Sequence, residues 1–351
     1  MKKLFLSLAI LALAVVACQN NDEVTPNQEA AVDMSDFYVY TSDDVSAKST
    51  KEDNNGDKCA SMKVLNQQLK DNPGLEQRMF EIEKHTRAII AAKGSTTFKG
   101  KPGGDTGDVD VDVLPIGDNL GVVNIPVYIH IIYPNANSIT DAQVSSQLNV
   151  LNSDFRNTNA NQLPPLTTFA NDATDAGFSF SLAGVFRHND PKSSWGTNNS
   201  VKLAYPPISP STHLNIWVCE IGGGILGYAQ FPGGNSSTDG IVLGGPYFGV
   251  TSGAYGGGRT ATHEIGHWLN LRHIWGDGRC NADDYVLDTP IAGASNGGCP
   301  TFPSVSCQTA DMTMNYMDYT YDSCMYLFTD GQRNRMRAIF AAGGSRASFI
   351  P

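Results

Sequence analysis

Three histidines and a glutamate lie close together in the last third of the chain, at His263, Glu264, His267 and His273. On a helix, side chains four residues apart share a face, so His263 and His267 can present two imidazoles to one metal ion. His273 reaches the same ion if the helix ends and the chain turns back. Three protein ligands with an open fourth position are typical of a catalytic zinc site, not of a structural one.

Glu264 follows the first histidine directly, so its carboxylate should lie beside the metal without ligating it. Zinc lowers the pKa of bound water, and a neighbouring carboxylate can take the proton. Glu264 is therefore the expected general base, with water as the nucleophile. A surface helix whose histidines bind nothing is the alternative, but chance seldom produces these four residue types at these spacings.

The elements that position these residues can be read from local patterns. The β-branched and aromatic run over residues 122–133 predicts a buried strand. Thr140-x-x-Gln143 and Thr329-x-x-Gln332 are typical of helix starts. Residues 178–186 and 214–221 predict further strands, and 224–231 and 240–244 predict shorter ones. The region 274–328 has little regular pattern.

The histidine segment resembles the zinc motif of the metzincin metalloproteases, in which a glycine stands where this chain has Asn270. Because Asn tolerates a left-handed backbone conformation, a turn toward His273 is still expected. Within the metzincins, the chain resembles the pappalysin family over stretches 214–234, 256–278, 286–290 and 314–336. This resemblance implies an α+β fold. A mixed twisted sheet and helices would form an upper subdomain, above an irregular lower subdomain stapled by disulfides.

The resemblance also implies roles for residues outside the histidine segment. Met317 would lie in a methionine-containing turn, as an apolar floor beneath the metal. Tyr319 matches a tyrosine that can stabilise the oxyanion of the tetrahedral intermediate. Gly227, Tyr228 and Ala229 would belong to an edge strand along which an extended substrate pairs. A plain internal hairpin is the alternative for that strand.

Four of the seven cysteines lie between residues 280 and 324. In an oxidising compartment such a cluster predicts two disulfides, and four cysteines allow three pairings. The family resemblance implies the interleaved pairing, Cys280 with Cys307 and Cys299 with Cys324. Cys219 lies in an apolar strand and is expected to be a buried free cysteine.

The family resemblance also bears on calcium and on specificity. Asp284 and Asp288 offer hard oxygen ligands after the zinc motif, where the family binds calcium, although surface carboxylates that bind nothing are an equal alternative. Some pappalysins use an aspartate directly before the last of these cysteines to select a basic residue after the scissile bond. Here Ser323 takes that place and Asp322 precedes it, so we expect a broader specificity.

Cys59 lies ahead of the catalytic domain and before a helical stretch, and it resembles the pro-segment cysteine of pappalysins, which implies a helical pro-segment. In the fourth position on zinc, the Cys59 thiolate would exclude water and keep the enzyme latent. A disulfide with Cys219, or a free thiol, is the alternative. Removal of the pro-segment is expected within residues 87–115, with cleavage points at Lys93, Lys99 or Lys101.

The first residues are typical of an export signal, with a short basic start and an apolar run from Leu4 to Ala17. Small residues before Cys18 resemble a bacterial lipoprotein cleavage site, which would make Cys18 the lipidated residue; an ordinary signal peptide is the alternative.

These observations together predict four parts in the chain. These are a signal peptide (1–17), a flexible tether (18–57), a pro-segment and linker (58–115) and the catalytic domain (116–351).

The sequence thus predicts an exported zinc endopeptidase, made as a latent zymogen, that is either an envelope lipoprotein or secreted after processing. Its partners would be protein or peptide substrates, its cofactors zinc and calcium, and its state monomeric, with membrane contact only through the lipid anchor. The formal charge of −11 and the lack of a basic patch argue against nucleic acid as a partner.

A non-catalytic cell-surface binding protein with a metzincin fold is the first rival interpretation, and the intact Glu264 argues against it. A calcium-stabilised envelope protein is the second, and it predicts no loss of function on Glu264→Ala.

Overall fold

The structure is a computed structural model that describes residues 32–40, 58–99, 110–159 and 169–351. The predicted signal peptide, Cys18 and Lys101 lie outside the described residues. In chain order the α-helices are α1 (Ser61–Asp71), α2 (Leu75–Lys93), α3 (Asp141–Phe155), α4 (Ser200–Ala204), α5 (Arg259–Trp268) and α6 (Asp330–Ala338). The strands of three or more residues are β1 (Ser95–Lys99), β2 (Asp110–Leu114), β3 (Val123–Tyr133), β4 (Phe178–Asn189), β5 (Leu214–Cys219), β6 (Gly227–Ala229) and β7 (Ile241–Gly244). Two-residue strands follow at β8 (Gly297–Gly298), β9 (Val305–Ser306), β10 (Thr309–Ala310) and β11 (Tyr319–Thr320).

A mixed five-stranded sheet forms the upper subdomain, in the order β4-β3-β5-β7-β6. The first four strands are parallel, and β6 pairs antiparallel with β7 at one edge. Alternate residues of β3, among them Ile125, Val127 and Ile129, are fully buried in the main core. That core also takes in Ile265 and Trp268 of α5, so the zinc-motif helix is anchored on the sheet.

The helix starts follow the predicted caps. The Thr140 side chain accepts a hydrogen bond from the Gln143 backbone at the start of α3. Thr329 and Gln332 form a reciprocal capping box at α6. These bonds satisfy backbone N–H groups that the first helical turn leaves without partners.

The lower subdomain, between α5 and α6, is mostly irregular and carries two disulfides. They join Cys280 to Cys307 and Cys299 to Cys324, which is the interleaved pairing that the resemblance implied. Cys219 and Cys59 are both free and buried, so the alternative of a disulfide between them does not hold. Cross-links suit this region because it has few regular elements to restrict its unfolded chain.

The segment ahead of the catalytic domain differs from the prediction in two places. Residues 32–40 were assigned to a flexible tether, but Phe37 and Val39 pack on an apolar cluster with α1, α2 and Phe231. The prediction followed the acidic composition of the segment as a whole and missed these few apolar side chains. Within the predicted linker, β1 and β2 pair antiparallel, with Ser95 opposite Leu114. No helix in the described part of the chain has the length and apolar character needed to cross a membrane.

Candidate active site

Four buried side chains converge beneath the edge strand: Cys59, His263, His267 and His273. Their ligand atoms all lie within 4.8 Å of one another. The Nε2 atom of His267 is 3.2 Å from that of His263 and 3.1 Å from that of His273. Nitrogens at about 2.0–2.1 Å from a tetrahedral zinc ion lie roughly 3.3 Å apart, so the cluster fits zinc in both donor type and spacing.

The outer nitrogen of each histidine faces an acceptor that orients the ring. Nδ1 contacts the carbonyl oxygen of Tyr316 for His263 (2.7 Å), that of Leu271 for His267 (2.8 Å) and the carboxylate of Asp277 for His273. A carbonyl can only accept, so Nδ1 carries the proton in the first two and the Nε2 lone pair points to the cluster. Burial, helped by the nearby His273, lowers the pKa of His263 to about 3, which keeps that ring neutral and able to ligate.

The turn expected after the second histidine is present. Helix α5 ends at Trp268, and Asn270 has a φ of 77°, in the left-handed region. The Leu271 N–H then donates to the Gly266 carbonyl (2.9 Å), which closes the turn and sends the chain back toward His273. Asn therefore does here what glycine does in the motif that the segment resembles.

Met317 lies directly beneath the zinc-motif helix and is fully buried. Its sulfur fills the space beside Gly266, where a Cβ atom would collide with it. Glycine is thus required between the two helical histidines for a packing reason. Met317 thus lies where the resemblance implies an apolar floor beneath the histidines.

Glu264 is completely buried beside the cluster. Its Oε2 accepts hydrogen bonds from the Ser61 hydroxyl (2.7 Å) and the Cys59 thiol (3.4 Å). Its Oε1 has no hydrogen-bond partner among the described residues. Burial raises the pKa of Glu264 to about 7, against the opposing effect of these two hydrogen bonds. An orphaned carboxylate oxygen at this position is what a proton-accepting group needs before its substrate arrives.

The edge strand β6 is occupied by the pro-segment. Cys59 forms a parallel bridge with Gly227, and the Ala60 N–H donates to the Gly227 carbonyl (3.0 Å). The Ala229 N–H donates to the Ser61 hydroxyl (2.7 Å). The backbone groups that an added strand would use are therefore taken by residues 59–61.

Tyr319 lies at the side of the histidine cluster. Its hydroxyl is 3.5 Å from the carbonyl oxygen of Cys59, to which it donates. Its ring centroid is 5.0 Å from that of His273 and 5.7 Å from that of His263. The Tyr319 hydroxyl can therefore donate to a carbonyl oxygen beside the histidine cluster, as it does to that of Cys59.

Of the remaining predicted substrate residues, Tyr228 is buried and Ser323, which follows Asp322, is exposed. Tyr228 is fully buried in an apolar cluster with Trp217, so its side chain does not reach the histidines. Ser323 is exposed beside the Cys299–Cys324 disulfide. The Asp322 carboxylate accepts from the Arg259 backbone N–H (3.1 Å) at the start of α5, so it is already used inside the protein.

The two calcium candidates use their carboxylates in local hydrogen bonds. Asp284 accepts from the Val286 N–H (3.0 Å) and the Thr289 hydroxyl (2.8 Å). Asp288 accepts from the Thr329 hydroxyl (2.6 Å) and the Gly331 N–H (2.8 Å) at the start of α6. In the described part of the chain, the zinc-type cluster is the single group of three or more His, Cys, Asp or Glu side chains that could hold a metal ion.

Three site residues were missed from the sequence. Ser61 and Asp277 are close in the chain to the predicted ligands Cys59 and His273. A carboxylate four residues after His273 was a signal that could have been used. Asp154 had no such signal. It lies on α3 and reaches the Thr262 hydroxyl (2.7 Å) and the Tyr316 hydroxyl (2.9 Å), next to the histidines.

Known proteins that are similar to this chain are metalloproteases, as the histidine cluster suggests. Residues 210–341 match the peptidase family model described as pregnancy-associated plasma protein-A. An extracellular metalloprotease of Arthroderma gypseum is 34% identical over 237 residues, which are 63% of this chain and 74% of that protein. A second, from Arthroderma benhamiae, is 33% identical over 244 residues, 64% of this chain and 76% of its own.

Two solved structures from Tannerella forsythia are also similar. Mature mirolysin in complex with a cleaved peptide is 42% identical, with a TM-score of 0.63, and the match covers 66% of this chain and 96% of that one. A mutant promirolysin is 36% identical, with a TM-score of 0.69, over 84% of this chain and 97% of that one. With the zinc-type histidine cluster and the mixed sheet, these likenesses show that the chain belongs to the pappalysin family and is a metzincin zinc metalloendopeptidase.

Proposed function

We propose that this chain is an exported zinc endopeptidase held latent by its own pro-segment. The observation that carries the proposal is the convergence of three imidazole nitrogens and the Cys59 thiol beside the buried carboxylate of Glu264. His263, His267 and His273 would hold the zinc ion. Bound there, zinc would supply Lewis-acid chemistry, lowering the pKa of water and polarising the peptide carbonyl.

The protein's own groups would then handle the proton and the substrate. Glu264 takes a proton from the attacking water and passes it to the leaving amine, for which its unpartnered Oε1 is suited. The Tyr319 hydroxyl donates a hydrogen bond to the oxygen of the scissile carbonyl as negative charge develops. The backbone of Gly227 and Ala229 pairs with the extended substrate, because the Gly227 carbonyl and the Ala229 N–H already form hydrogen bonds across this edge of the sheet.

Latency follows from the same contacts. Cys59 would take the fourth ligand position, while Ser61 holds both Glu264 and the Ala229 N–H. We assign the pro-segment and linker to 58–115 and the catalytic domain to 116–351, with processing within 87–115. Lys93 ends α2 and Lys99 ends β1, so cleavage at either would separate Cys59 from the catalytic domain.

Export is supported by the relatives named extracellular metalloproteases. Lipidation at Cys18 rests on the sequence pattern alone, and calcium at Asp284 and Asp288 rests on the family resemblance alone. Protein or peptide substrates follow from the protease class, and we propose that the enzyme acts as a monomer.

The test is cleavage of a mixed peptide library by the full chain, loaded with zinc, activated by limited trypsin digestion and then freed of trypsin activity by a specific inhibitor. The matched variant is Glu264→Gln, which keeps the shape of the side chain but cannot take a proton. We expect the wild-type chain to cut the library, and the variant to be slower by about 10²–10⁴-fold at equal zinc content. Glu220→Gln, at an exposed carboxylate outside the site, should behave as wild type.

Chelation should abolish cleavage by the wild-type chain, and added zinc should restore it. A folded, zinc-loaded and fully processed wild-type chain that cuts nothing would contradict the proposal and favour a non-catalytic binding protein. Equal cleavage by the Glu264→Gln variant would overturn the role of Glu264.

A further inference from the structure

We propose that the catalytic domain carries a second recognition site, formed by Arg272, Tyr285 and Arg335, for a carboxylate flanked by aromatic side chains in a protein substrate. This inference rests on the proposed function, because the site opens only when the pro-segment leaves. In the latent chain its occupants are Glu83 of α2 and residues 36–39, which we call the N-terminal strap.

The carboxylate position is defined by a buried, two-pronged ion pair. Arg335 of α6 donates through Nη1 to Oε1 of Glu83 (3.1 Å) and through Nη2 to Oε2 (2.7 Å). The side chains of Arg335 and Glu83 are only 4% and 3% exposed. Parallel N–H···O bonds of this kind select the planar carboxylate shape as well as its charge.

The aromatic positions are defined by the N-terminal strap. The ring of Phe37 lies 5.4 Å from that of Tyr285, and the ring of Tyr38 lies 5.8 Å from it. The Arg272 guanidinium lies 4.9 Å from the centroids of both Tyr38 and Tyr285, and Nη2 of Arg272 donates to the Tyr38 carbonyl oxygen. Arg272 thus binds an aromatic side chain and its backbone together.

Each of the two arginines has a guanidinium nitrogen that can donate to a further acceptor. Nη1 of Arg272 and Nε of Arg335 are buried and have no hydrogen-bond partner among the described residues. Both residues are more than nine-tenths buried, at 5% and 3% exposed, and they line one cavity. Unpartnered guanidinium donors inside a protein are costly, so this cleft favours an occupant richer in acceptors than the present one.

Release of the pro-segment would remove every contact of Arg272 and Arg335 named so far, except those with Tyr285. Glu83 and the N-terminal strap precede the proposed processing region, whereas Arg272, Tyr285 and Arg335 belong to the catalytic domain. From its own domain, Arg335 keeps a hydrogen bond from Nη1 to the Tyr285 carbonyl oxygen (3.1 Å). Two positive charges around a tyrosine ring then face the cleft, which is complementary to an acidic, aromatic peptide segment.

The site lies within reach of a bound substrate. Arg272 directly precedes His273, and Phe231 and Asn270 line the same cavity as the two arginines. Phe231 follows β6 by two residues, and its ring lies 5.2 Å from that of His267. A peptide that pairs with β6 and continues past its end therefore enters this cleft, so the site can select substrates by sequence away from the scissile bond.

The first test profiles the cleavage sites of the activated, zinc-loaded chain in a mixed peptide library. We expect Asp or Glu, with a neighbouring aromatic residue, to be enriched at one position on one side of the scissile bond. For the best peptide, replacing that acid by its amide should lower kcat/KM about tenfold, mainly through KM. Arg335→Gln and Arg272→Gln should each reduce this discrimination, whereas Arg333→Gln, on the same helix but outside the cleft, should retain it.

A flat profile from a chain that does cleave the library would overturn the site without affecting the proposed function. Discrimination that persists in both arginine variants would do the same.

A binding measurement keeps the inference testable if no peptide is cut. Fluorescein-labelled peptides with the sequence of residues 75–93, with Glu83 or with Gln at that position, are titrated onto the activated chain. We expect the Glu83 peptide to bind about tenfold more tightly, and equal binding would overturn the carboxylate site. If the Glu83 peptide binds but acidic substrates are not preferred, the site serves only the pro-segment and the proposal is wrong.

Discussion

The Ser61 hydroxyl lies between Glu264, the proposed general base, and the edge strand. It donates to Glu264 over 2.7 Å and accepts from the Ala229 N–H over 2.7 Å. One side chain thus engages the Glu264 carboxylate and one of the backbone donors that the proposed substrate pairing would use. At the scale of single residues, the proposed latency would therefore have two contributions, the Cys59 thiol and the Ser61 hydroxyl.

We predict that Ser61→Ala increases the rate at which the intact, zinc-loaded chain processes itself. The lost contacts are a charge-assisted and a neutral hydrogen bond, so an increase of about tenfold is expected. Cys59→Ala should increase the rate further. The rates are read from the appearance of the mature form on a gel.

Ser61→Thr keeps the hydroxyl and should process like the wild-type chain. Ser237→Ala, at an exposed serine outside the site, is the neutral control. Processing of Ser61→Ala at the wild-type rate would show that the hydroxyl plays no part in latency.

At the scale of elements, Asp154 joins α3 to the zinc-motif helix and to the methionine-containing turn. Its carboxylate accepts from the hydroxyls of Thr262 and Tyr316, and Arg259 lies within 3.4 Å. The residue is 2% exposed. These bonds fix where α5 and the turn at Met317 lie relative to each other, and so where the histidines point.

We predict that Asp154→Ala lowers the free energy of unfolding by about 3 kcal/mol, because it leaves two hydroxyls and a guanidinium without their buried acceptor. Chemical denaturation of the intact chain measures this. Asp141→Ala, on the same helix but with an exposed side chain, should cost less than about 1 kcal/mol. A loss for Asp154→Ala as small as that for Asp141→Ala would contradict the linking role.

Local patterns predicted much of this level of structure. The apolar run of β3 and the caps at Thr140 and Thr329 were readable because they depend on neighbours in the chain. The left-handed turn at Asn270 was readable because few residues tolerate that conformation. Asp154 was not, since its partners are more than a hundred residues away in the chain.

At the scale of the whole molecule, the pro-segment is held at two separate places. One is the edge strand and metal cluster, through residues 59–61, and the other is the pair of Glu83 with Arg335. The approach of Cys59 to the histidines was predicted from the family resemblance, whereas the pairing of residues 59–61 with the edge strand was not. The second contact was not predicted, and neither was the packing of residues 32–40, because both depend on contacts between distant parts of the chain.

The second contact gives a pH-dependent stability. Burial raises the pKa of Glu83, but the ion pairs with Arg335 and Arg87 outweigh it and the pKa falls to about 2 from an ordinary 4.5. A depressed carboxyl pKa stabilises the folded chain fully above about pH 4.5, and this stabilisation is lost as the pH falls toward 2. The shift corresponds to roughly 3 kcal/mol.

We therefore predict that Glu83→Gln destabilises the intact chain most above pH 5, and that the difference from wild type shrinks as the pH falls toward 2. Denaturation curves at several pH values, in a Glu264→Gln background that prevents self-cleavage, measure it. Glu81→Gln, on the exposed face of the same helix, should follow the wild-type curve. A constant offset between wild type and Glu83→Gln at all pH values would contradict the ion pair.

The most direct measurement of the central claim is X-ray absorption at the zinc edge, on the intact chain and on the same chain after activation. We predict one sulfur at about 2.3 Å and three nitrogens at about 2.0–2.1 Å in the intact chain, and nitrogen or oxygen ligands alone after the pro-segment is removed. The Cys59→Ala chain should lack the sulfur from the start. An intact wild-type chain that binds zinc without a sulfur ligand, or that binds no zinc, would contradict a zinc endopeptidase kept latent by Cys59.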